Sequence, residues 1–340
     1  MRTIAIVRYG SPGAAFEFRD SPAPEPQPGQ VLIKVDAFGL NFADVMARKG
    51  LYREAPKPPF VPGYEVVGRI EKPGAGITHF SKGQRVAAFT RFGGYAEYAC
   101  TPATAVVSIP EKMSHVVAAA LATQYCTAYH AACEATNLFP GERVLIHAAA
   151  GGVGTALVQL AKLKGCEIFG TAGSDEKLAY LKRIGVDHPI NYRTQDFVDE
   201  IRTTLNGEPL DVVFDSLGGK SYRRSKSLLG PGGRIVSYGV AESVGKGSGL
   251  WNMLKAVLNF GLMHPVALIM KSQAAIGVNM LQIADHKPQV LQRCLQNVAQ
   301  LINDGKLAPQ SGAVYRAGQI AEAHALLEGR TSTGKIVVEW

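Results

Sequence analysis

The chain has 340 residues, of which 46% are hydrophobic and 19% are charged, and its formal net charge is +8. These proportions exclude an intrinsically disordered chain, and the length favours two domains over one. The basic residues are scattered, without a Lys/Arg block or a helix-turn-helix pattern. We therefore expect a surface that attracts an anionic cofactor or an acidic membrane, and no nucleic-acid partner.

Cysteine usage and the start of the chain bear on the compartment. The five cysteines stand at scattered positions and form no C-x-x-C pair, which predicts neither a disulfide framework nor a zinc ribbon. Residues 1–7 are strand-like and lack the long apolar stretch of a signal peptide. We expect a cytoplasmic protein.

Short β-like runs fill residues 1–121, separated by turns rich in glycine and proline. The predicted strands cover residues 4–7, 31–35, 66–70, 85–89 and 95–99. Many short strands with such turns are typical of a small barrel-like β domain. A helical stretch at 42–49 interrupts them directly after Asn41.

A glycine-rich turn at residues 147–156 lies between an apolar, β-favouring run and a segment with helical spacing. In the G-x-G-x-x-G pattern, Ala149 takes the first glycine place, Gly151 the second and Gly154 the third, with Gly152 and Val153 between the last two. Gly151 would let the backbone approach a pyrophosphate, and Gly154 would let the helix lie close to the strand. Such turns also join strands to helices without a ligand, but the βα pattern that follows favours a dinucleotide site.

Strands and helices alternate from residue 122 to residue 282, which predicts a doubly wound parallel sheet and an α/β fold class. Residues 283–340 are expected to return to the first domain. Ligands bind at the carboxyl ends of strands in such sheets. The backbone positions expected to contact the cofactor there are Ser216, Leu217, Gly239, Val240 and Ala241.

Three further motifs precede the glycine turn: GLNFAD at 39–44 with GLY at 50–52, and PGYEVVG at 62–68. Together, in this order, they resemble the medium-chain dehydrogenase/reductase superfamily over essentially the whole chain. Its zinc-free quinone oxidoreductase branch is the most similar, close to the vesicle amine transport protein (VAT-1)-like group. The resemblance implies a GroES-like catalytic domain at 1–121 and 283–340, and a Rossmann domain at 122–282.

The zinc alcohol dehydrogenases of this superfamily bind their catalytic metal with thiolate and imidazole ligands at three places. Here those places hold Asn41, Tyr64 and the pair Thr123-Gln124, and the four-cysteine lobe of the structural zinc is missing. We therefore expect no metal. Without a Lewis acid, hydrogen bonds must polarise the substrate.

The donors available for this purpose are the amide of Asn41 and the hydroxyls of Tyr52 and Tyr64. In the quinone reductases, the residues that match Asn41 and Tyr52 lie near the nicotinamide and the substrate. Two alternatives stay open: Asn41 as the cap of the following helix, and Tyr52 as a structural tyrosine.

The end of the second strand of the Rossmann domain decides between NADH and NADPH. Residues 171–174 contain no carboxylate for a ribose 2′-OH, whereas Gly173, Ser174, Lys177 and Tyr192 surround the expected place of a 2′-phosphate. In the quinone reductases a lysine and a tyrosine at matching places bracket that phosphate, and Arg330 would add a second cation. NADPH is the expected cofactor, with a solvated helix face as the alternative role of Lys177.

Residues 245–271 form an apolar insertion, which we interpret as two short helices broken near His264-Pro265. Polar residues interrupt it, so we expect a lid, a dimer contact or a peripheral membrane contact in preference to a transmembrane span. A similar insertion occurs in the VAT-1-like group.

The sequence thus predicts a zinc-independent, NADPH-dependent reductase of quinones or α,β-unsaturated carbonyl compounds, and the resemblance implies a homodimer. The alternative is a membrane-associated, VAT-1-like regulatory or binding protein with little turnover.

Overall fold

The computed structural model describes residues 1–240 and 264–340. It divides into two units, which are Met1–Cys126 with Met280–Trp340, and Thr127–Asn279. The C-terminal residues thus return to the first unit. Residues 241–263, which include Ala241 and most of the apolar insertion, lie outside the described residues.

The first unit is built around an antiparallel barrel-like sheet with strand order β14-β15-β3-β4-β5-β7, in which β6 also pairs with β3. A separate hairpin joins β1 to β2. The strands are β1 (Arg2–Ile6), β2 (Phe16–Asp20), β3 (Gln30–Leu40), β4 (Glu65–Pro73), β5 (Arg85–Phe89), β6 (Tyr98–Pro102), β7 (Val106–Ser108), β14 (Ser311–Arg316) and β15 (Lys335–Glu339). Only β14 and β15 pair in parallel in this sheet.

Alternating apolar residues of these strands meet in one core. Val31, Ile33, Val66 and Val86 are each at most 1% exposed and belong to it. The helices of the unit are α1 (Pro12–Ala15), α2 (Phe42–Arg48), α3 (His115–Ala120), α10 (Met280–His286), α11 (Pro288–Asn303) and α12 (Ile320–Glu328). Helix α2 begins where β3 ends, which places the residues around Asn41 at a strand-to-helix junction.

The prediction of a strand at 95–99 is wrong by three residues. The backbone N–H of Tyr95 donates to Pro62 O at 3.0 Å, and that of Glu97 donates to Arg2 O at 3.1 Å. The segment is therefore held by a loop and by β1 before β6 starts at Tyr98 and pairs with β3.

The second unit contains a six-stranded sheet in the order β10-β9-β8-β11-β12-β13, in which every pair is parallel. This is the doubly wound order 3-2-1-4-5-6, and the predicted doubly wound parallel sheet is confirmed. The strands are β8 (Arg143–Ile146), β9 (Glu167–Ala172), β10 (His188–Asn191), β11 (Leu210–Asp215), β12 (Leu229–Ser237) and β13 (Ala274–Gly277). Its helices include α5 (Gly152–Leu163), α6 (Asp175–Ile184), α7 (Phe197–Thr204), α8 (Gly219–Lys226) and α9 (Pro265–Lys271), while α4 (Cys126–Tyr129) crosses the boundary between the units.

Helix α9 is the described part of the apolar insertion. It begins after His264, whose Nδ1 accepts a hydrogen bond from Val266 N at 3.3 Å, and Pro265 occupies its first position. The second of the two predicted helices therefore begins at Pro265, as expected, and the first lies outside the described residues. Within residues 1–240 and 264–340, none of the helices combines the length and the apolarity needed to cross a bilayer.

Candidate active site

Asn41 lies at the junction of β3 and α2, and its backbone closes the first helical turn. Its N–H donates to Asp44 Oδ2 at 2.8 Å, and its carbonyl accepts from Asp44 N at 2.9 Å. The side-chain amide is engaged elsewhere: Nδ2 donates to Glu65 Oε1 at 2.9 Å, and Oδ1 accepts from Lys335 Nζ at 3.1 Å. The geometry thus assigns the amide to a buried polar cluster.

Lys335 begins β15 and is the cation of this cluster. Its side chain is fully buried, it forms an ion pair with Glu65, and its Nζ also donates to Leu40 O at 3.0 Å. A Cβ at Gly39 would collide with the side chains of Lys335 and Glu65. The glycine of the GLNFAD motif therefore makes room for the ion pair.

Glu65 joins the three places at which the zinc enzymes carry their ligands. It accepts from Asn41 through Oε1, and its Oε2 accepts from Thr123 N at 3.0 Å. The hydroxyl of Thr123 also donates to Tyr64 O at 3.3 Å. The structure thus brings Asn41 and Thr123 to one carboxylate, and Thr123 contacts Tyr64 through the backbone carbonyl of Tyr64.

Asp44 is as fully buried as Glu65 and Lys335. The ionisable groups of the cluster are therefore two carboxyl groups and one ammonium. Burial raises the pKa of Asp44 to about 7, against the opposing effects of the Asn41 N–H and of Lys335. Burial also lowers the pKa of Lys335, and Glu65 counteracts this. A neutral Asp44 would leave the cluster without net charge.

The two tyrosines of the sequence prediction contact each other. Their rings are T-shaped with centroids 6.0 Å apart, and the Tyr64 ring also lies 5.3 Å from that of Phe92. Burial raises the pKa of Tyr52 to about 12 and that of Tyr64 well above its usual range. Both hydroxyls therefore remain protonated donors at neutral pH, and that of Tyr64 has no hydrogen-bond partner among the described residues.

The donor set does not fit a catalytic zinc. Such a site needs three protein ligands drawn from thiolates, imidazoles and carboxylates. Here the three places offer an amide, a phenol and a hydroxyl, and the ammonium of Lys335 already binds both Glu65 and Asn41. A dication beside this ammonium would be repelled.

The glycine turn of the second unit connects β8 to α5. Ala148 adopts φ +50°, and α5 starts at Gly152 with Gly151 as its N-cap. A Cβ at Gly154 would lie 2.7 Å from Ala149 Cα. The turn thus needs glycine for close packing, and the first N–H groups of a 12-residue helix are available to an anion.

The residues predicted for a 2′-phosphate meet at the end of β9. A Cβ at Gly173 would lie 2.6 Å from the Tyr192 hydroxyl, and Ser174 caps α6 by accepting from Lys177 N at 3.4 Å. Burial and the neighbouring Arg193 lower the pKa of the half-buried Lys177. Gly173, Ser174, Lys177 and Tyr192 thus share one corner of the sheet.

Asp175, the first residue of α6, is an acidic residue in the same corner. Its Oδ1 accepts from Asn191 Nδ2 at 3.1 Å. This contact ties the carboxylate to the end of β10.

The loops after β11 and β12 lie side by side, as their places in the sheet require. A Cβ at Gly239 would lie 2.6 Å from Ser216 O, and Leu217 N donates to Asp215 Oδ1 at 2.9 Å. Val240 follows on the surface. Arg330 belongs to the first unit, where its guanidinium lies 5.7 Å from the ring centre of Phe42.

Sequence reasoning missed the roles of Lys335, Asp44 and His147. His147 is buried, contacts Thr171 Oγ1 at 3.1 Å and Ser225 Oγ at 2.7 Å, and burial lowers its pKa to about 4. These two hydrogen bonds connect the start of the glycine turn to β9 and α8. The available signal for Lys335 was its place directly before three apolar strand residues. Such a place suggests burial, and a buried ammonium requires a partner.

Comparisons with known proteins agree with this architecture. Residues 27–111 match the alcohol dehydrogenase GroES-like domain, and residues 184–338 match a family described as zinc-binding dehydrogenase. The GroES-like assignment of the first domain is thereby confirmed. The description of the second family concerns its members at large, and the donor set of this chain departs from it.

Two curated relatives and one solved structure illustrate the similarity. The chain is 36% identical over 312 residues to the synaptic vesicle membrane protein VAT-1 homolog of Danio rerio, covering 91% of this chain and 64% of that protein. It is 32% identical to the quinone oxidoreductase of Homo sapiens, covering 99% of this chain and 97% of the relative. The structure of Escherichia coli quinone oxidoreductase complexed with NADPH superimposes with a TM-score of 0.86 at 27% identity, covering 100% of both chains.

The chain belongs to the medium-chain dehydrogenase/reductase superfamily, in the branch of the quinone oxidoreductases and the VAT-1 homologs.

Proposed function

We propose that this protein is a zinc-independent, NADPH-dependent reductase of quinones or α,β-unsaturated carbonyl compounds. The observation that carries the proposal is the buried cluster around Asn41, which holds an amide N–H donor at the position that matches the first zinc ligand of the zinc enzymes. The relatives support it, because one is named a quinone oxidoreductase and a similar structure contains NADPH.

The cofactor is held by the second unit. The turn of Ala149, Gly151, Gly152, Val153 and Gly154 would receive the pyrophosphate at the start of α5. Gly173, Ser174, Lys177 and Tyr192 would receive the 2′-phosphate, which their hydroxyls and ammonium suit. Ser216, Leu217, Gly239 and Val240 would contact the cofactor through their backbone. The roles of Ala241, which lies outside the described residues, and of Arg330, which belongs to the first unit, stay predictions. NADPH, when bound, supplies the hydride.

The first unit would polarise the substrate. Asn41 donates one N–H to Glu65 and has a second N–H that no described residue accepts. This N–H can bind the oxygen on which negative charge develops as the carbonyl compound is reduced. Tyr52 and Tyr64 provide neutral hydroxyl donors, and the remaining contribution of the protein is to orient the reactants and exclude water.

The test is NADPH oxidation against a panel of quinones and enones, measured with and without a strong zinc chelator. We expect turnover of at least one class, unchanged by the chelator. Loss of turnover on chelation would contradict zinc independence, and absence of turnover with every acceptor would contradict the reductase.

The second candidate function, a membrane-associated VAT-1-like regulatory protein, is favoured by one observation. Helix α9 exposes apolar side chains, with Val266, Ile269 and Met270 exposed to 55%, 76% and 80%. Because the net charge is +8, the protein would bind vesicles that contain acidic lipid and sediment with them. Co-sedimentation lost in the Ile269→Ser/Met270→Ser variant would support this candidate, and no co-sedimentation of the unchanged protein would contradict it.

A homodimer is the assembly that we propose. Among residues 1–240 and 264–340, strand β13 lies at an edge of its sheet and pairs with β12 on one side. An edge strand offers unpaired backbone groups to a second copy. Sedimentation at micromolar concentration should give a dimer, and a monomer would contradict this assembly.

A further inference from the structure

We propose that Lys335 is a positioning residue that fixes the orientation of the Asn41 amide, so that Asn41 presents an N–H and not a carbonyl oxygen to the substrate. This inference rests on the proposed function, because it gives the donor of that function its direction. It concerns contacts within the first unit alone.

An asparagine amide has two ends of similar shape and opposite hydrogen-bonding character. A rotation of 180° exchanges its oxygen with its NH₂ group. An ammonium can only donate, and a carboxylate can only accept. Because Lys335 Nζ lies 3.1 Å from Oδ1 and Glu65 Oε1 lies 2.9 Å from Nδ2, one orientation of Asn41 satisfies both charged neighbours.

The reversed orientation would be unfavourable at both ends. It would set the NH₂ group against the ammonium of Lys335 and the carbonyl oxygen against the carboxylate of Glu65. Each contact would leave a buried polar group unsatisfied. Asn41 is only 8% exposed, so water compensates little of this loss.

Lys335 is itself held in place. Its three N–H bonds have three acceptors, which are Leu40 O, Asn41 Oδ1 and Glu65 Oε1. Its side chain runs through the space that Gly39 leaves open. A fully satisfied ammonium in a tight, buried channel has little freedom, and it therefore provides a fixed reference for the amide.

The second N–H of Asn41 is directed by the same contacts. Once Glu65 has accepted one hydrogen of the NH₂ group, the planarity of the amide determines where the other points. No described residue accepts it. Loss of Lys335 would remove the donor to Oδ1, permit both orientations, and weaken this N–H as a substrate donor.

The test compares Lys335→Met with Lys335→Arg and with the double variant Lys335→Met/Glu65→Gln. The double variant removes both charges, which guards against misfolding from an unpaired buried carboxylate. Lys72→Met, at an exposed lysine of the same unit, is the matched control. Thermal unfolding and NADPH affinity establish that each protein is folded.

The first readout is hydrogen exchange of the Asn41 side-chain amide, followed by NMR in protein labelled with ¹⁵N-asparagine and assigned by its loss in Asn41→Ala. We expect slow exchange in the unchanged protein, and at least tenfold faster exchange in Lys335→Met and in the double variant. Equal exchange rates in all proteins would overturn the proposal. This readout needs no substrate, so it holds even if the reductase function fails.

The second readout is kcat in a double-mutant cycle. We expect Lys335→Met and Asn41→Ala each to lower kcat by about 100-fold, and their combination to lower it no further. Lys335→Arg should recover part of the loss, because it keeps the cation. Additive losses would show that Lys335 acts independently of Asn41, and would overturn the proposal.

Discussion

The ammonium nitrogen of Lys335 lies 3.1 Å from the side-chain oxygen of Asn41, inside the buried cluster around Glu65. The same amide donates to Glu65, so its two ends contact neighbours of opposite charge. Several consequences can be measured.

Replacing Asn41 by Ala should lower kcat by about 10²- to 10³-fold, because it removes a donor to the developing oxyanion. The affinity for NADPH should change by less than about twofold, since the residues proposed to hold the cofactor, apart from Arg330, lie on the second unit. Steady-state kinetics and isothermal titration give the two values. Asn303→Ala, at the end of α11, is the control. An unchanged kcat in Asn41→Ala would contradict the role of Asn41 as a donor to the oxyanion.

Replacing Lys177 by Ala should weaken NADPH binding roughly tenfold or more, because a charge-assisted hydrogen bond to the 2′-phosphate is lost. NADH binding should stay within about twofold. Isothermal titration with both cofactors measures the difference. Lys182→Ala, on the exposed face of the same helix, should affect neither, and equal losses for both cofactors in Lys177→Ala would refute the 2′-phosphate assignment.

Replacing Gly39 by Ala should destabilise the protein by about 1–3 kcal/mol, because the added methyl group collides with Lys335 and Glu65. Denaturant unfolding measures this cost. Gly13→Ala is a suitable comparison, since a Cβ there meets nothing within 4 Å. Equal stability of the two variants would mean that the ion pair does not require the space at Gly39.

Replacing Asp44 by Asn should change how stability depends on pH. The pKa of Asp44 is raised from 3.8 to about 7, so between these values the native state keeps a proton that the unfolded state releases. Its contribution to the unfolding free energy therefore falls as pH rises from about 4 to about 7, by about 4 kcal/mol in total, and is constant above. Asp44→Asn lacks this fall.

Comparing the unchanged protein with Asp44→Asn cancels the contributions of other buried titratable groups to the pH dependence. Burial lowers the pKa of His147 to about 4 and that of His324 to about 3, and both histidines favour the native state increasingly as pH rises towards their unfolded value. Both remain in Asp44→Asn, so they cancel in the difference. Urea unfolding across this pH range should show the two curves diverging, and parallel curves would contradict a protonated Asp44.

The sequence predicts the second unit well because its signals are local. The strand, glycine turn and helix around Gly151 and Gly154 are contiguous, and the parallel doubly wound sheet follows from the repeated βα pattern. Ser174 and Lys177 stand three residues apart on one helix start, so their proximity could be predicted as well.

The buried cluster of the first unit could be predicted only in part. Asn41 and Asp44 are neighbours in the chain, but Lys335 is 294 residues away from Asn41, and pairing of β15 with β3 brings them together. Periodicity along the chain carries no information about such a contact. The sequence also left open whether Asn41 caps α2. Asn41 is the N-cap residue of that helix, in a capping box with Asp44, and its amide also contacts Glu65 and Lys335.

The most direct measurement of the central claim is transfer of deuterium from NADPH labelled at C4 of the nicotinamide to an enone that supports turnover. Label delivered to carbon does not exchange with water, so mass spectrometry of the product reports hydride transfer itself. We predict that one of the two C4 epimers of labelled NADPH places one deuterium in the product, and that the other leaves the product unlabelled. Product without deuterium from either epimer, or an intact cofactor in the presence of every enone and quinone tested, would contradict the account.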